Sequence, residues 1–205
     1  SASNLLIIYL GLETLALSLY GLVASNRKSV KSSEAAMKFF VLGSISSGLF
    51  LYGVSLIYGL YGSINVSDFS NLSIDNSIEL QIAIGFLICG IIFKFGAFPF
   101  HSWVPDSYQG STNSVALFIS TVPKIGAFAL LYRLLIESFY SLSFLWSSLL
   151  LVLGLSSIVF GNIVALSQNQ IRRLFGYSAI GHIGFILIGI SAIKLIGSPL
   201  LLITT

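Results

Sequence analysis

Three ionisable side chains of this sequence stand in the middle of long apolar runs, where a charge is costly. Glu13 lies in LGLETLALSLY, Lys94 in IIFKFGAFPFHSWVPD and Lys124 in STVPKIGAFAL. A charged side chain at the centre of a bilayer costs about 2.5–3.5 kcal/mol on insertion scales. His182, in SAIGHIGF, is a fourth titratable group in such a run. Groups of these types can donate and accept protons inside a membrane.

Two interpretations of these buried groups are open from the residues alone. A Glu and a Lys on neighbouring helices can form a structural pair, and this interpretation suits Glu13 and Lys94 taken by themselves. Several such groups together are harder to explain in this way, because a buried pair often costs stability. Burial also brings the titration of carboxylates and amines closer to neutral pH. A row of them therefore favours a path for protons or ions.

Lys94 is followed by Gly96 and Pro99, a spacing that predicts a broken helix. A proline removes one backbone hydrogen bond of a helix and frees a carbonyl group one turn earlier. Unpaired backbone at membrane depth is tolerated only where protein or water lines the site, as in transporters. The alternative is that Pro99 only ends the helix before a loop, HSWVPD.

Lys38 is a further candidate for proton transfer, near the start of another apolar run. It follows Glu34 by four residues, and Ser32 and Ser33 come before both. This pattern indicates a capped, exposed helix start with a favourable charge pair. The alternative is that Lys38 faces inward and partners Glu13.

The composition predicts the elements that carry these side chains. The chain has 205 residues, of which 56% are hydrophobic and 8% are charged, whereas soluble domains carry roughly a quarter charged residues. A soluble globular protein and a disordered chain are therefore excluded. We expect an all-α polytopic membrane protein, a single domain over residues 1–205, because six apolar stretches are long enough to cross a bilayer as helices. They are residues 5–24, 35–60, 80–100, 112–136, 142–166 and 174–197.

Basic residues in two short loops predict the orientation of the six helices. They are Arg27, Lys28 and Lys31 after the first helix, and Arg172 and Arg173 before the last. With six crossings both loops lie on one side, and their Lys/Arg excess marks the matrix or cytoplasmic side. Both chain termini are then expected on the opposite side.

No sequence motif for a bound cofactor or metal is present. Cys89 is the single cysteine, so the chain has no cysteine cluster for iron–sulfur or zinc binding. It also has no glycine-rich nucleotide loop for NADH or flavin. The net charge of +3 gives no indication of nucleic-acid binding. We expect no cofactor on this chain and no nucleic acid among its partners.

Five segments resemble the antiporter-like subunits of NADH:ubiquinone oxidoreductase (complex I), most closely the subunit 2 branch of that family. The resemblance extends from Ser1 to about Gly189 and implies part of an inverted-repeat antiporter-like fold. The segments are YLGLETLALSLYGLVA, SSEAAMKFFVLGSISSGLFLYG, FKFGAFPFHSWVPDSYQGS, PKIGAFALLYR and GNIVALSQNQIRRLFGYSAIGHIGF.

The resemblance implies roles for the buried groups by position. Glu13 matches the family's glutamate on the fifth helix, Lys94 the lysine on the broken seventh helix, and Lys124 the lysine on the eighth. His182 matches a histidine on the tenth helix, which corresponds to the fifth in the family's two inverted repeats. In such a subunit, redox energy from a distant quinone site drives protonation changes along this axis, and protons cross the membrane.

The function implied by the resemblance is a proton-translocating membrane subunit of respiratory complex I. Its partners would be lipid and the other membrane-arm subunits, in the mitochondrial inner membrane or a bacterial plasma membrane. A full family member has further helices before Glu13 and after the sixth span. We therefore expect either a second chain that completes the subunit or a longer sequence.

Two other functions stay open at this point. One is a subunit of a multi-subunit sodium/proton antiporter, which shares the Glu and Lys pattern. The other is a structural membrane spacer without pumping, in which Lys94 would be dry, packed and without a polar neighbour.

Overall fold

The computed structural model describes residues 3–71 and 78–196, which form an all-helical membrane domain. Within these residues, six helices are long and apolar enough to cross a membrane, which confirms the predicted fold class. A seventh helix, α4, is short, and α5 continues through a wider turn at Arg133–Ser138. The helices are α1 (Leu5–Val23), α2 (Val30–Tyr61), α3 (Ile78–Phe95), α4 (Trp103–Gly110), α5 (Asn113–Tyr132), α6 (Ser143–Leu166) and α7 (Ile171–Ile196).

The start of α2 differs from the predicted one by five residues. Ser29 caps the helix, because its hydroxyl accepts a hydrogen bond from the backbone N–H of Ser32 at 3.4 Å. Ser32 is fully buried, and its hydroxyl donates to the carbonyl of Val23 at 2.6 Å. The serine that resembled an exposed cap therefore ties the end of α1 to α2. At the other end of the chain, α7 begins at Ile171, and the predicted end at residue 197 lies outside the described residues.

The predicted broken helix is confirmed, and the break comes earlier than the proline. α3 ends at Phe95 because Gly96 takes a left-handed conformation with φ of 72°. After a turn that contains Pro99, the chain resumes as α4, where the sequence had indicated only a loop. A single broken element, α3 and α4 together, therefore replaces the predicted helix 80–100.

Side chains form hydrogen bonds with backbone groups on both sides of the break. The N–H of Phe98 donates to the hydroxyl of Ser157 on α6 at 3.0 Å. The carbonyl of Phe93 accepts the indole N–H of Trp103 at 3.2 Å. Neighbouring protein thus supports irregular backbone inside the membrane domain, as this environment requires.

α6 and α7 pack against each other with their backbones in close contact. A Cβ added to Gly161 on α6 would lie 2.8 Å from the backbone nitrogen of Gly181 on α7. Small residues allow this approach between membrane helices. The α6–α7 pair in turn supports α4, because the backbone of Pro105 lies against Gly176.

The two ends of the domain differ in their polar content. At one end, the backbone N–H of Leu5 donates to the carbonyl of Ile64, and Phe69 stacks on Phe139 at 5.3 Å. At the other end, Lys31 and Arg173 line the same cavity. Lys31 and Arg173, both predicted in loops, lie instead in the first turns of α2 and α7, at the same end of the helices.

Candidate functional site

Glu13 and Lys94 meet in the interior of the domain. Glu13 is halfway along α1, and Lys94 is the last residue but one of α3, directly before the break. The Lys94 Nζ lies 3.6 Å from Glu13 Oε1, and the two side chains are 9% and 23% exposed. This separation permits charge attraction but exceeds a hydrogen bond. Among the described residues, Lys94 Nζ has no hydrogen-bond partner.

A third helix contributes to the pair. The hydroxyl of Ser47 on α2 donates a hydrogen bond to Oε1 of Glu13, the same oxygen that faces Lys94. Ser47 is buried, and its neighbour Ser46 donates to the carbonyl of Gly90 on α3 at 3.0 Å. The sequence did not single out Ser47, because a serine in a membrane helix is common and carries no charge.

The path from Lys94 toward Lys124 begins at a small, mainly apolar cavity. Lys94 and Trp103 lie on one wall of this cavity, and Pro123 on α5 lies on another. Lys124 follows Pro123 directly in the chain, so the two lysines belong to helices on either side of one space. No hydrogen bond between described residues connects Lys94 with Lys124.

Lys124 contacts a tyrosine, which the sequence had not indicated. Its Nζ donates to the phenol oxygen of Tyr108 on α4 at 3.4 Å and lies 5.9 Å from the centre of the tyrosine ring. Lys124 is half-buried and Tyr108 is 6% exposed. The second half of the broken helix therefore supplies the polar neighbour of this lysine.

Lys38 lies apart from the Glu13–Lys94 pair, so its predicted alternative as a partner of Glu13 is wrong. Its Nζ lies 2.7 Å from Glu34 and 2.9 Å from Asp106 on α4. Asp106 also pairs with Arg173 on α7 at 2.6 Å. Asp106 draws Lys38 toward the end of the domain, and this cluster joins α2, α4 and α7.

His182 is exposed on α7 and is not joined to the other groups. Its neighbours Gly181 and Ile183 are buried, so the histidine points away from the described interior. Among the described residues it has no hydrogen-bond or ion-pair partner. The structure therefore brings together Glu13 and Lys94, places Lys124 one cavity away, and leaves Lys38 and His182 outside this group.

The assembled groups are suited to moving protons. A carboxylate, two amines, a phenol and a serine hydroxyl can all donate or accept protons without a redox centre. Across residues 3–71 and 78–196, no group of three or more His, Cys, Asp or Glu residues is arranged to hold a metal ion.

Comparison with known sequences gives a family over nearly the whole chain. The family model described as "NADH:quinone oxidoreductase/Mrp antiporter, TM" matches residues 2–204. NADH-quinone oxidoreductase subunit N of Ruthia magnifica subsp. Calyptogena magnifica is 52% identical over 206 residues, which are 98% of this chain and 42% of that protein. Subunit N of Thioalkalivibrio sulfidiphilus is 47% identical over 196 residues, 94% of this chain and 41% of that protein.

Solved structures have the same fold. A chain of respiratory complex I from Thermus thermophilus with bound aureothin matches with a TM-score of 0.80 and 36% identity, over 91% of this chain and 40% of that one. The Mrp complex from Dietzia sp. DQ12-45-1b matches with a TM-score of 0.84 at 22% identity, over 92% of this chain and 36% of that one, and shows the fold alone. The chain spans about two fifths of the length of its curated relatives. It belongs to the family of membrane subunits of NADH:quinone oxidoreductases and Mrp antiporters.

Proposed function

We propose that this chain is part of a proton-translocating membrane subunit of NADH:quinone oxidoreductase, in which Glu13, Lys94 and Lys124 transfer protons. The observation that carries the proposal is the buried ion pair at the helix break. Lys94 lies 3.6 Å from Glu13 and has no hydrogen-bond partner among the described residues. Charge attraction to Glu13 and the Phe93 ring, whose centre lies 5.8 Å from Nζ, hold the lysine in this position.

The pair responds to protonation because its two charges depend on each other. If Glu13 takes up a proton, Lys94 loses the one counter-charge that the described residues place within 4 Å of it. Its ammonium form then becomes more costly. Lys94 then tends to release its proton toward another acceptor. The helix break directly after Lys94 leaves irregular backbone next to its side chain. The side chain can therefore change position more readily than it could along a continuous helix.

Lys124 is the next proton acceptor in this proposal. The cavity lined by Lys94 and Pro123 lies between the two lysines, and a proton crosses it through water or by side-chain movement. His182 would continue the path beyond Lys124. The side chain of His182 is exposed on α7. This exposure supports the presence of further helices, from a longer chain or a second one, that cover His182 in the whole subunit. Lys38 is assigned instead to the polar cluster around Asp106.

The partners and location follow from the relatives, which are named as subunits of NADH-quinone oxidoreductases of bacteria. We infer that the chain lies among the other membrane-arm subunits and lipid. The bacterial relatives favour a plasma membrane over the mitochondrial inner membrane. The basic loops, with Arg27 and Arg172, would face the cytoplasm, by the excess of positive charge on that side.

A sodium/proton antiporter subunit is the second candidate function. It is supported by the family description, which names Mrp antiporters, and by the fold shared with the Dietzia complex. The relatives at 52% and 47% identity, both named NADH-quinone oxidoreductase subunit N, favour the first function. A structural spacer is disfavoured, because Lys94 has the carboxylate of Glu13 as a neighbour.

The test is proton pumping by the assembled complex in membrane vesicles. Lys94→Met keeps the length of the side chain and removes its charge, and Lys28→Met is the matched control in an exposed loop. We expect Lys94→Met to lower the number of protons moved per NADH oxidised, with normal assembly, and Lys28→Met to leave it unchanged. An unchanged ratio in assembled Lys94→Met contradicts the proposal. A pH change driven by sodium without NADH would favour the antiporter instead.

A further inference from the structure

Tyr108 separates Lys124 from a cavity on the side of the domain. The polar side chains of its lining are Tyr108 from α4, Asn113 and Ser120 from α5, and Arg172 from α7. Apolar side chains, among them Leu117 and Phe175, form the rest of the lining. Lys124 does not line it. The phenol oxygen of Tyr108, 3.4 Å from Lys124 Nζ, is therefore the polar atom that connects this lysine to the cavity.

Ser120 lies one turn before Lys124 on α5, so both side chains lie on one face of that helix. The Ser120 hydroxyl donates to the carbonyl of Leu117 at 2.7 Å, and Ser120 lines the cavity together with Tyr108. Lys124 thus contacts Tyr108 directly, and Ser120 supplies a hydroxyl at the cavity wall one turn away.

The cavity leads to the end of the membrane helices. Asn113 is the first residue of α5, and Lys124 follows it by eleven residues, which is about 16 Å along a helix. Arg172 lies at the start of α7, where it donates to the carbonyl of Ser111 at 3.1 Å. The cavity thus extends from Ser120, one turn from Lys124, to the level of Arg172 at the start of α7.

Buried hydroxyls on α4 support water in this region. Ser107 and Ser111 are 0% and 4% exposed, and their hydroxyl oxygens have no partner among the described residues. Buried polar groups are normally hydrogen-bonded, to protein or to ordered water. These two lie next to Tyr108 and next to the cavity's Arg172 contact.

We propose that Tyr108 relays protons between Lys124 and the cavity that opens toward Arg172. The inference rests on the proposed function. It adds a connection between Lys124 and the side of the membrane where the basic loops lie. A phenol both donates and accepts, which a relay requires, and no other described side chain donates or accepts a hydrogen bond with Lys124 Nζ.

The step conserves atoms and charge. A water in the cavity gives a proton to the Tyr108 oxygen as the Tyr108 O–H gives its own proton to neutral Lys124. The product is the lysine ammonium, a neutral phenol and a hydroxide that takes the next proton from the solvent. Release follows the same bonds in reverse, and the tyrosine never carries a lasting charge.

The test compares two replacements of Tyr108 in the assembled complex. Tyr108→Phe keeps the ring and removes the hydroxyl, whereas Tyr108→His changes the ring but restores a group that donates and accepts. Tyr58→Phe, on an exposed face of α2, is the matched control. Protons moved per NADH oxidised are measured in vesicles, with assembly checked on native gels.

We expect Tyr108→Phe to lower the proton yield at least twofold, Tyr108→His to recover part of it, and Tyr58→Phe to have no effect. If Tyr108 had only a structural role, Tyr108→His would lower the proton yield more than Tyr108→Phe, since Phe preserves the packing better than His does. A normal yield in assembled Tyr108→Phe overturns the inference, and so does a lower yield for His than for Phe. If Tyr108→His does not assemble, the comparison of Tyr108→Phe with Tyr58→Phe decides alone.

Lys124→Met separates this inference from the proposed function. If Lys124→Met lowers the proton yield and Tyr108→Phe does not, the relay is wrong and the function stands. If neither Lys124→Met nor Lys94→Met lowers it, the proposed function itself fails.

Discussion

One carboxylate oxygen organises the centre of the site. Oε1 of Glu13 accepts a hydrogen bond from Ser47 and faces Lys94 at 3.6 Å, so three helices meet at a single atom. A hydrogen bond to a charged group is worth about 1.5–3 kcal/mol when partly buried. Ser47 therefore holds the carboxylate of Glu13 in place beside Lys94.

The role of Ser47 predicts the effect of removing its hydroxyl. Ser47→Ala takes away a donor to Glu13 and thereby a hydrogen bond that is worth about 1.5–3 kcal/mol when its acceptor is charged. We expect a several-fold lower rate of proton pumping in complexes that still assemble. Ser44→Ala is the control, because the exposed Ser44 bonds only to the carbonyl of Phe40 in its own helix. Equal pumping rates in the two variants would show that Ser47 does not tune the pair.

The sequence allowed the charged members of the site to be predicted but not the neutral ones. Glu13, Lys94 and Lys124 stand out because a charge in an apolar run is costly. A serine or a tyrosine costs little free energy in a membrane helix. The residue types of Ser47 and Tyr108 therefore do not indicate a functional role. The pair of Lys38 with Glu34 was predicted from their spacing and is confirmed at 2.7 Å. The second partner of Lys38, Asp106, was not predicted, because the sequence around it indicated a loop.

At the scale of elements, the broken helix α3–α4 positions the chemistry. α3 carries Lys94 to the pair with Glu13, and α4 carries Tyr108 to Lys124. Gly96 and Pro99 indicated the break, and Gly96 ends α3 because only glycine adopts its φ without strain. The helix α4 could not be predicted from apolar periodicity, because it has eight residues, including Pro105, Asp106 and Gln109.

Gly96 is expected to tolerate no side chain. A Cβ at this position would lie 2.2 Å from Cγ2 of Val104, and the left-handed φ of 72° adds about 1–2 kcal/mol of strain. We expect Gly96→Ala to reduce the amount of assembled complex strongly. Gly85→Ala, in the middle of α3 where a Cβ meets no atom within 4 Å, should assemble normally. Quantitative native gels measure both, and equal amounts would contradict the role of the turn.

At the scale of the whole molecule, the described domain is held at one end by charge and left open at one face. Asp106 joins Lys38 of α2 to Arg173 of α7 through α4, with distances of 2.9 Å and 2.6 Å. This cluster fixes α4, the second half of the broken element, relative to α2 and α7. His182 and large apolar side chains such as Phe185 are exposed on α7.

The six spans and their order could be predicted from the lengths of the apolar runs. The contacts between the spans could not, because they depend on small residues and on polar atoms that the length of a run does not reveal.

The exposed face of α7 is expected to contact protein in the assembled particle. A photo-crosslinking amino acid at position 182 should link to helices outside the described domain, because a histidine is costly against lipid alone. Crosslinked products are identified by mass spectrometry of the purified complex. Crosslinks to lipid alone would show that no helix covers His182, and would remove it from the proposed path.

The central claim is that the Glu13–Lys94 pair changes its protonation during turnover, and infrared difference spectroscopy of the assembled complex tests it most directly. Spectra with and without NADH are compared between the natural chain and Glu13→Gln, with Glu79→Gln, at the exposed start of α3, as a control. We predict a carboxyl signal that appears on turnover, disappears in Glu13→Gln, shifts in Lys94→Met and persists in Glu79→Gln. Identical difference spectra for the natural chain and Glu13→Gln would contradict the claim.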